Sequence, residues 1–194
     1  MLDNRSIRPV PEAPRDVDEF LHWGTTRDGR YELVSGQVFE MMVNVSRGHA
    51  RVTGLVTALL VQLLDRRRHQ VSPADFGVRT PRGIRYPDVL VDPVSSNDRE
   101  LASTNPLLIV EVLSPSSLEI DFVQKRAEYQ AIPSLQTYLI LTQDEPRAWI
   151  WTRESEGWPD QAEMVEGSEA EVVVPALGVK LPLSFIYPSA GEHG

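Results

Sequence analysis

The sequence predicts an α/β fold in which helices flank a β-sheet. The predicted elements follow one another in the order helix, strands, helix, strand, which is typical of a layered α/β protein. Residues 107–113, LLIVEVL, form a continuous apolar run with the length and β-branched content of a central strand. At 194 residues the chain is long enough to bury a proper core, and we expect a single domain.

The N-terminal region is predicted to be an arm that leads into a short helix. Residues 1–15 contain three prolines and show no hydrophobic periodicity. We therefore expect the domain to occupy residues 16–188, with residues 189–194 as a C-terminal tail. The first element of the domain is predicted to be an amphipathic helix over residues 16–23, DVDEFLHW.

A hairpin and a long helix are predicted next. Residues 30–42 contain two short strand-like runs around Ser35–Gly36, a pair typical of a tight hairpin turn. Ser46 can cap a helix whose apolar residues recur at three- and four-residue steps as far as about Arg68. His49 falls on the same apolar stripe, in the first turn of that helix.

The second half of the chain is predicted to consist mainly of strands. The predicted elements are an extended strand at 70–81, a turn at 83–85, a strand at 86–92, the central strand at 107–113, a helix from about 117 to 131, and strands at 135–141, 147–153 and in two stretches beyond residue 161. Pro87 indicates an edge or bulged position for its strand. Ser114 and Ser116 are more simply explained by helix capping than by nucleophilic catalysis.

Composition excludes several classes of protein and site. The chain contains no cysteine, so it has no disulfide, no thiolate nucleophile and no cysteine-ligated metal, and any metal must bind oxygen or histidine. No apolar run approaches the roughly 18 residues that span a bilayer, and the first residues lack the apolar middle of a signal peptide. We therefore expect a cytoplasmic protein that does not contact a membrane.

The charge distribution is acidic overall, with local basic clusters. A formal net charge of −9 argues against broad, sequence-independent adhesion to nucleic acid. Basic residues cluster at residues 65–69, DRRRH, and at Arg79, Arg82 and Arg85. We interpret these clusters as a solvated helix end and an exposed turn, and a phosphate-facing rim is the alternative.

Two carboxylates interrupt apolar, strand-like runs: Asp88 in YPDVLVD and Glu111 in LLIVEVL. An ionised carboxylate buried without a partner is so unfavourable that the group is normally protonated, paired or bound to a metal. If the two strands are neighbours, the carboxylates can meet, and their repulsion then raises a pKa unless a cation lies between them. Hard oxygen ligands with water suit Mg²⁺ or Mn²⁺. The alternative is that each carboxylate pairs with an arginine or a backbone amide.

Lys125 lies on the helix predicted after Glu111. It is one of only two lysines, against seventeen arginines, and a lysine supplies a compact point charge that an arginine does not replace. The helix carries apolar residues on two faces, including Val123 on one and Phe122 on the other, and is predicted to be buried on both. The alternative for Lys125 is a snorkelling surface position.

Other types of site have less support. The sequence contains no H-E-x-x-H, no G-x-x-x-x-G-K-[ST] and no G-x-S-x-G motif. A glycosidase could also use Asp88 and Glu111 as its paired carboxylates, but nothing in the sequence indicates sugar-stacking aromatic residues beside them.

Several motifs together carry a resemblance to a known family. In chain order they are YELVSGQVFEM, RGHARV, YPDVLV, LLIVEVLSPSS, DFVQKRAEYQAIPSLQTYLIL and LGVKLPLSFIY. In this order they resemble the Uma-type restriction endonuclease family, formerly a domain of unknown function, within the PD-(D/E)XK nuclease superfamily. The resemblance covers roughly residues 16–188. It implies a restriction-endonuclease-like mixed β-sheet core flanked by helices, with an N-terminal hairpin and extra C-terminal strands.

The resemblance also implies a set of site residues. Asp88 matches the Pro-Asp metal ligand of the family, and Glu111 matches the second acidic ligand. The E-x-K lysine of the superfamily is replaced by Leu113, and Lys125 matches the position in the following helix from which the family is thought to supply this lysine. The match extends to Glu32 in the hairpin and His49 at the start of the long helix, although a lone helical histidine is more often a hydrogen-bonded core residue.

The expected function is therefore that of a magnesium- or manganese-dependent endonuclease that hydrolyses DNA phosphodiester bonds, with a homodimer as a further expectation. The alternative is a catalytically idle member of the fold that serves as a protein-binding or structural module. The net charge favours the idle module, whereas the joint presence of Asp88, Glu111 and a nearby lysine favours the enzyme.

Overall fold

A computed structural model describes residues 8–10, 13–41, 45–113 and 120–188. The helices are α1 (Val17–Gly24), α2 (Arg47–Leu63), α3 (Arg126–Gln130) and α4 (Leu183–Ile186), with a π-helical segment at Ile120–Lys125 and a 3-10 turn at Pro175–Leu177. The strands are β1 (Arg8–Pro9), β2 (Arg30–Val34), β3 (Gln37–Met41), β4 (His69–Pro73), β5 (Gly77–Thr80), β6 (Gly83–Arg85), β7 (Val89–Pro93), β8 (Ala102–Ser103), β9 (Leu108–Val112), β10 (Thr137–Leu141), β11 (Arg147–Thr152), β12 (Glu163–Glu166), β13 (Glu171–Val174) and β14 (Val179–Pro182).

The strands form two six-stranded mixed sheets and a short hairpin. The first sheet has the order β1-β3-β2-β6-β5-β8, the second has the order β12-β11-β10-β9-β7-β4, and β13 pairs with β14. Strands β9 and β10 are parallel, as are β5 and β8, and the other neighbours run antiparallel. The predicted mixed α/β architecture flanked by helices is confirmed.

The second sheet is covered on both faces. One face packs against α2, α4 and the β13–β14 hairpin. The opposite face packs against Tyr129 and Ile132 from the α3 region and against Val78 of the first sheet. Every residue of β9 and β10 is buried. This two-sided burial explains why the sequence of β9 is a continuous apolar run rather than an alternating one.

The N-terminal half of the chain agrees with the sequence in three places. Asp16 caps α1 by accepting hydrogen bonds from two backbone amides of the first turn. Ser35 and Gly36 both have positive φ values, 52° and 75°, as the tight turn between β2 and β3 requires. Ser46 caps α2 by accepting a hydrogen bond from the His49 amide at 3.0 Å.

Three predicted boundaries are wrong. Helix α2 ends at Leu63 rather than near Arg68, because Asp65 begins a turn in which its carboxylate accepts a hydrogen bond from a following amide. The predicted strand at 70–81 is two strands, β4 and β5, that belong to different sheets. Strand β7 lies inside its sheet and begins at Val89, so Pro87 precedes the strand by two residues and does not mark an edge.

The predicted turn at 83–85 is the interior strand β6. It pairs with β2 on one side and β5 on the other. Gly83 makes this possible: its φ is 146°, and a Cβ atom there would lie 2.0 Å from the carbonyl oxygen of Leu33. None of the helices in the described ranges is both long enough and apolar enough to cross a bilayer.

We expect Gly83→Ala to lower the free energy of unfolding by roughly 3 kcal/mol or more, because backbone strain and a clash with Leu33 act together. Gly157→Ala is the matched control, since Gly157 also has positive φ, 119°, but a Cβ atom there would meet nothing within 4 Å. The Gly157→Ala control should lower the free energy of unfolding only by the backbone strain, roughly 1–3 kcal/mol. Urea unfolding measures both, and equal losses would contradict the close approach of β6 to β2.

Candidate active site

Asp88 and Glu111 lie opposite each other at one end of the β7–β9 ladder. The two strands are antiparallel, Val89 pairs with Val110, and Asp88 and Glu111 are the next residues outward. The Glu111 side chain lies on the sheet face of Leu90 and Ile109, where it contacts Tyr129. Asp88, one residue before β7, contacts His49 of α2, the helix that packs on the opposite face. Strands β7 and β9 are neighbours in one sheet; Asp88 precedes β7 by one residue and Glu111 lies within β9.

Asp88 is held by a backbone amide and a histidine. Its Oδ2 accepts a hydrogen bond from the Val112 amide at 2.7 Å and lies 3.2 Å from Nε2 of His49. Burial acts to raise the pKa of Asp88, but the His49 hydrogen bond and charge, the Val112 amide and the charge of Lys125 together hold this pKa below its ordinary value. The pKa of Asp88 is thus not raised, because positively charged neighbours offset the repulsion expected between two carboxylates without a cation. Among the described residues, Oδ1 of Asp88 has no hydrogen-bond partner.

Glu111 is held from the helical layer. Its Oε1 lies 3.0 Å from Nζ of Lys125 and accepts a hydrogen bond from the Tyr129 hydroxyl at 2.8 Å. Burial and the charge of Glu111 raise the pKa of Tyr129 well above its ordinary value, so this hydroxyl remains a donor at neutral pH. The sequence left open whether the positive charge beside Glu111 comes from a metal ion or from a protein group. Lys125, which is only 8% exposed, supplies this charge.

The segment that carries Lys125 is wound differently from an ordinary helix. Residues Ile120–Lys125 form a π-helical segment, and α3 continues from Arg126. Lys125, Glu128 and Tyr129 all lie on its buried side, whereas Val123 is 58% exposed. The prediction of burial on two faces is wrong, because the assumed 3.6-residue periodicity does not hold through a π-helical turn.

A second charged group lies beside this site and is centred on Arg85. Its guanidinium donates two hydrogen bonds to Glu128, at 2.9 and 2.6 Å, and one to Glu32 at 2.7 Å. All three side chains are buried, so the prediction that Arg85 belongs to an exposed basic turn is wrong. Burial acts to lower the pKa of Arg85, but the hydrogen bonds with Glu128 and the charges of both glutamates raise it.

The predicted site residues therefore fall into two groups. Asp88, Glu111, Lys125 and His49 come together, and Glu32 belongs to the Arg85 group, where it also accepts a hydrogen bond from the Tyr86 amide at 3.2 Å. Ser114 and Ser116 lie outside the described residues.

Three partners of these site residues were not identified from the sequence, namely Arg85, Glu128 and Tyr129. Glu128 and Tyr129 follow Lys125 by three and four positions, which is the spacing of residues on one helix face. That spacing was a usable signal. Arg85 gave none, because its strand is only three residues long and begins with Gly83.

The site can offer a cation two carboxylates. Within the described ranges, no group of three or more histidine, aspartate or glutamate side chains is placed to hold a metal ion. Any cation held by Asp88 and Glu111 would need water or oxygen atoms of a substrate to complete its coordination. Two carboxylates supplemented in this way are a normal protein contribution to Mg²⁺ binding.

Comparisons with known proteins agree on one family and one fold. The family model described as "Uma2: Putative restriction endonuclease" matches residues 17–184. Two uncharacterized proteins of Synechocystis sp. (strain ATCC 27184 / PCC 6803 / Kazusa) are similar: sll1609 is 31% identical over 130 residues, covering 64% of this chain and 73% of the relative, and slr1290 is 27% identical over 161 residues, covering 81% and 83%.

A solved structure supports the fold assignment. It is the crystal structure of a protein described as a putative nuclease belonging to DUF820, from Anabaena variabilis ATCC 29413. It superposes with a TM-score of 0.67 at 15% sequence identity, covering 86% of this chain and 96% of the other. At this identity the likeness concerns the fold alone.

We expect Arg85→Met to lower the free energy of unfolding by about 3–5 kcal/mol, because it leaves Glu32 and Glu128 buried without their cation. Arg147→Met is the matched control, since Arg147 also bridges two glutamates, at 2.8 and 2.9 Å, but on the surface. Water solvates those glutamates once they are released, so the control loses far less stability. Comparable losses in chemical denaturation would refute a structural role for the Arg85 group.

The lowered pKa of Asp88 gives stability a defined pH dependence. A carboxylate whose pKa is lower in the folded state stabilises the fold above its unfolded pKa, about 3.9, and this stabilisation is lost as the pH falls through the folded value. Asp88→Asn should therefore be less stable than the parent at pH 7 in the absence of metal, and the difference should narrow below about pH 3.9.

Urea unfolding between pH 3 and 7 measures this difference. Asp98→Asn, at an exposed loop position, is the control and should follow the parent throughout. If Asp88→Asn were more stable than the parent at pH 7, repulsion between the Asp88 and Glu111 carboxylates would outweigh the contacts that stabilise the Asp88 charge.

Proposed function

The chain belongs to the Uma2 family of restriction-endonuclease-like proteins, and on this basis we propose that it is a metal-dependent endonuclease that hydrolyses phosphodiester bonds in DNA. One observation carries the proposal: Asp88 and Glu111 end the β7–β9 ladder side by side, with the ammonium of Lys125 at 3.0 Å from Glu111. An acidic pair can hold a cation, and an adjacent lysine can neutralise charge that develops on the phosphoryl group, so the combination suits metal-assisted phosphodiester hydrolysis. With DNA as the substrate, the expected location is the cytoplasm.

The two carboxylates would hold Mg²⁺ or Mn²⁺. Asp88 is suited to this role, because its lowered pKa keeps it ionised at neutral pH and its Oδ1 has no partner among the described residues. Glu111 contributes the second carboxylate from the neighbouring strand. When bound, the cation supplies Lewis acidity and a lowered pKa of coordinated water.

Lys125 would act on the substrate phosphate. Its ammonium is buried beside Glu111 and is fixed there by the ion pair, so it requires little reorganisation when negative charge develops on the phosphoryl oxygens. The Tyr129 hydrogen bond to the same Glu111 oxygen holds this carboxylate in one orientation. We assign Tyr129 as a positioning residue.

His49 and Glu32 would act through their neighbours. His49 contacts the Oδ2 atom of Asp88, and the N-terminus of its helix is anchored by the hydrogen bond between Ser46 and Gln143. Glu32 binds Arg85 and the amide of Tyr86, two residues before Asp88. Both residues thus restrict the position of Asp88.

An idle module of the same fold is the second candidate. The observation in its favour is that Asp88 and Glu111 already have internal partners in His49, the Val112 amide, Lys125 and Tyr129. A protein of this kind would keep the charged network for structure and bind no cation.

Metal binding separates the two candidates. In the enzyme, Mn²⁺ raises the melting temperature of the parent in a concentration-dependent manner, and Asp88→Asn and Glu111→Gln reduce this rise. A parent protein whose melting temperature does not respond to Mn²⁺ would support the idle module.

Replacement of the two lysines tests catalysis. Lys125→Met should reduce Mn²⁺-dependent nicking of plasmid DNA by about 100-fold or more, because it removes a positive charge at the developing phosphoryl charge. Lys180→Met is the matched control: Lys180 is 64% exposed and pairs with Glu171 on the distant hairpin, so its replacement should leave nicking unchanged. Equal activities of both variants would reject a catalytic role for Lys125.

A further inference from the structure

A cavity of about 240 Å³ lies between α1, the start of β2 and Tyr86. Its walls are about equally polar and apolar, and the apolar and aromatic part consists mainly of Phe20 and Leu21 from α1, Tyr31 from β2 and Tyr86. An apolar cavity of roughly 150 Å³ accepts a benzene molecule, so this one has room for a bicyclic ring. It is smaller than the pockets of roughly 300–1,000 Å³ that hold drug-sized ligands.

The two tyrosine walls are fixed before any ligand arrives. The Tyr31 ring packs edge-on against Trp23, with ring centroids 4.9 Å apart, and its hydroxyl donates a hydrogen bond to the Asp28 carbonyl. The Tyr86 ring lies against Gly77, where a Cβ atom would be 3.3 Å from it. Rigid aromatic walls stack on a flat ring at low cost in conformational entropy.

The cavity also has polar groups that match the edge of a heteroaromatic ring. Arg30 and Asp75 form an ion pair at 2.6 Å on its lining and are 38% and 88% exposed. They place guanidinium donors next to carboxylate acceptors, and nucleobase edges present the complementary mixture of acceptors and donors. The Tyr86 hydroxyl has no hydrogen-bond partner among the described residues, so it can contribute a further donor.

The cavity is connected to the candidate active site through the chain itself. Tyr86 precedes Asp88 by two residues, and its amide is fixed on Glu32. An extended chain advances about 3.3 Å per residue, and a DNA strand rises about 3.4 Å per nucleotide. Two residues of chain span at most about 7 Å, so the wall residue Tyr86 lies within a few nucleotide steps of a phosphate at Asp88.

We infer that this cavity is a nucleobase-binding site, in which a single unstacked base lies against Tyr31 and Tyr86 with its polar edge toward Arg30 and Asp75. The choice of a nucleobase among flat heteroaromatic rings rests on the proposed function. The base comes either from the nucleic acid substrate, extruded from its stack as in other enzymes that act on single bases, or from a free nucleotide.

Filling the cavity tests the inference. Gly24 lines the cavity and a Cβ atom there meets nothing within 4 Å, so Gly24→Leu should occupy the cavity without disturbing α1. Ala74→Leu fills it independently from another wall. Gly54→Leu is the matched control, because Gly54 is helical, exposed and equally free of close neighbours, but lies on α2.

The measurement is equilibrium binding in EDTA, so that it does not depend on a metal site or on cleavage. The probes are a single-stranded oligonucleotide, the same oligonucleotide with abasic sites, the four nucleoside monophosphates, and ribose 5-phosphate. Base–aromatic stacking predicts that Gly24→Leu and Ala74→Leu bind base-containing probes about 5- to 100-fold more weakly than the parent and Gly54→Leu do.

The outcomes separate the sources of the base and the two hypotheses. If the filled variants bind only the intact oligonucleotide more weakly, the base belongs to the nucleic acid substrate. If they bind only the monophosphates more weakly, the base belongs to a free nucleotide. Equal binding by the parent and both filled variants, or equal binding of intact and abasic probes, overturns the inference. Neither result bears on cleavage, which the Lys125 and Lys180 variants test separately.

Discussion

The buried ion pairs of Arg85 with Glu32 and Glu128 connect the first sheet to the helix that covers the second sheet. Glu32 belongs to β2 and Arg85 to β6 of the first sheet, whereas Glu128 belongs to α3, which covers the second. The guanidinium therefore fixes where α3 lies relative to both sheets. Lys125 and Tyr129 occupy the same helical face as Glu128, so in the folded protein the Arg85 pairs and the contacts with Glu111 hold one side of this helix together.

The network is better understood as a device for specificity than as a source of stability. Removing several charged groups from water is costly, and a buried ion pair often stabilises a protein no more than well-packed apolar residues would. Here the bidentate geometry at Glu128 and the second carboxylate at Glu32 permit one arrangement of the three elements. A site that needs carboxylates and an ammonium at fixed positions benefits from this selectivity more than from additional stability.

Much of the fold could be predicted from the sequence, because it depends on local signals: the amphipathic pattern of α1, the cap at Ser46, the Ser35–Gly36 turn and the apolar run of β9. The candidate site was predictable as far as its residues interrupt apolar runs or match family motifs, although their catalytic roles remain proposals. Arg85 was missed because its burial depends on two glutamates far along the chain. The exposed face at Val123 was misjudged because Ile120–Lys125 is wound as a π-helix, which a 3.6-residue periodicity does not predict.

The two halves of the site differ in how far apart their partners are in the chain, and this has a consequence for folding kinetics. Tyr129 and Glu111 are separated by 18 residues within one strand–helix–strand crossover between β9 and β10. Arg85 and Glu32 are separated by 53 residues and connect different sheets. Because closing a longer loop costs more entropy, the crossover can form its Glu111 contacts early, whereas the Arg85 contacts await docking of the first sheet. A partly folded chain would thus contain the lysine–glutamate pair before the geometry around Asp88 is complete.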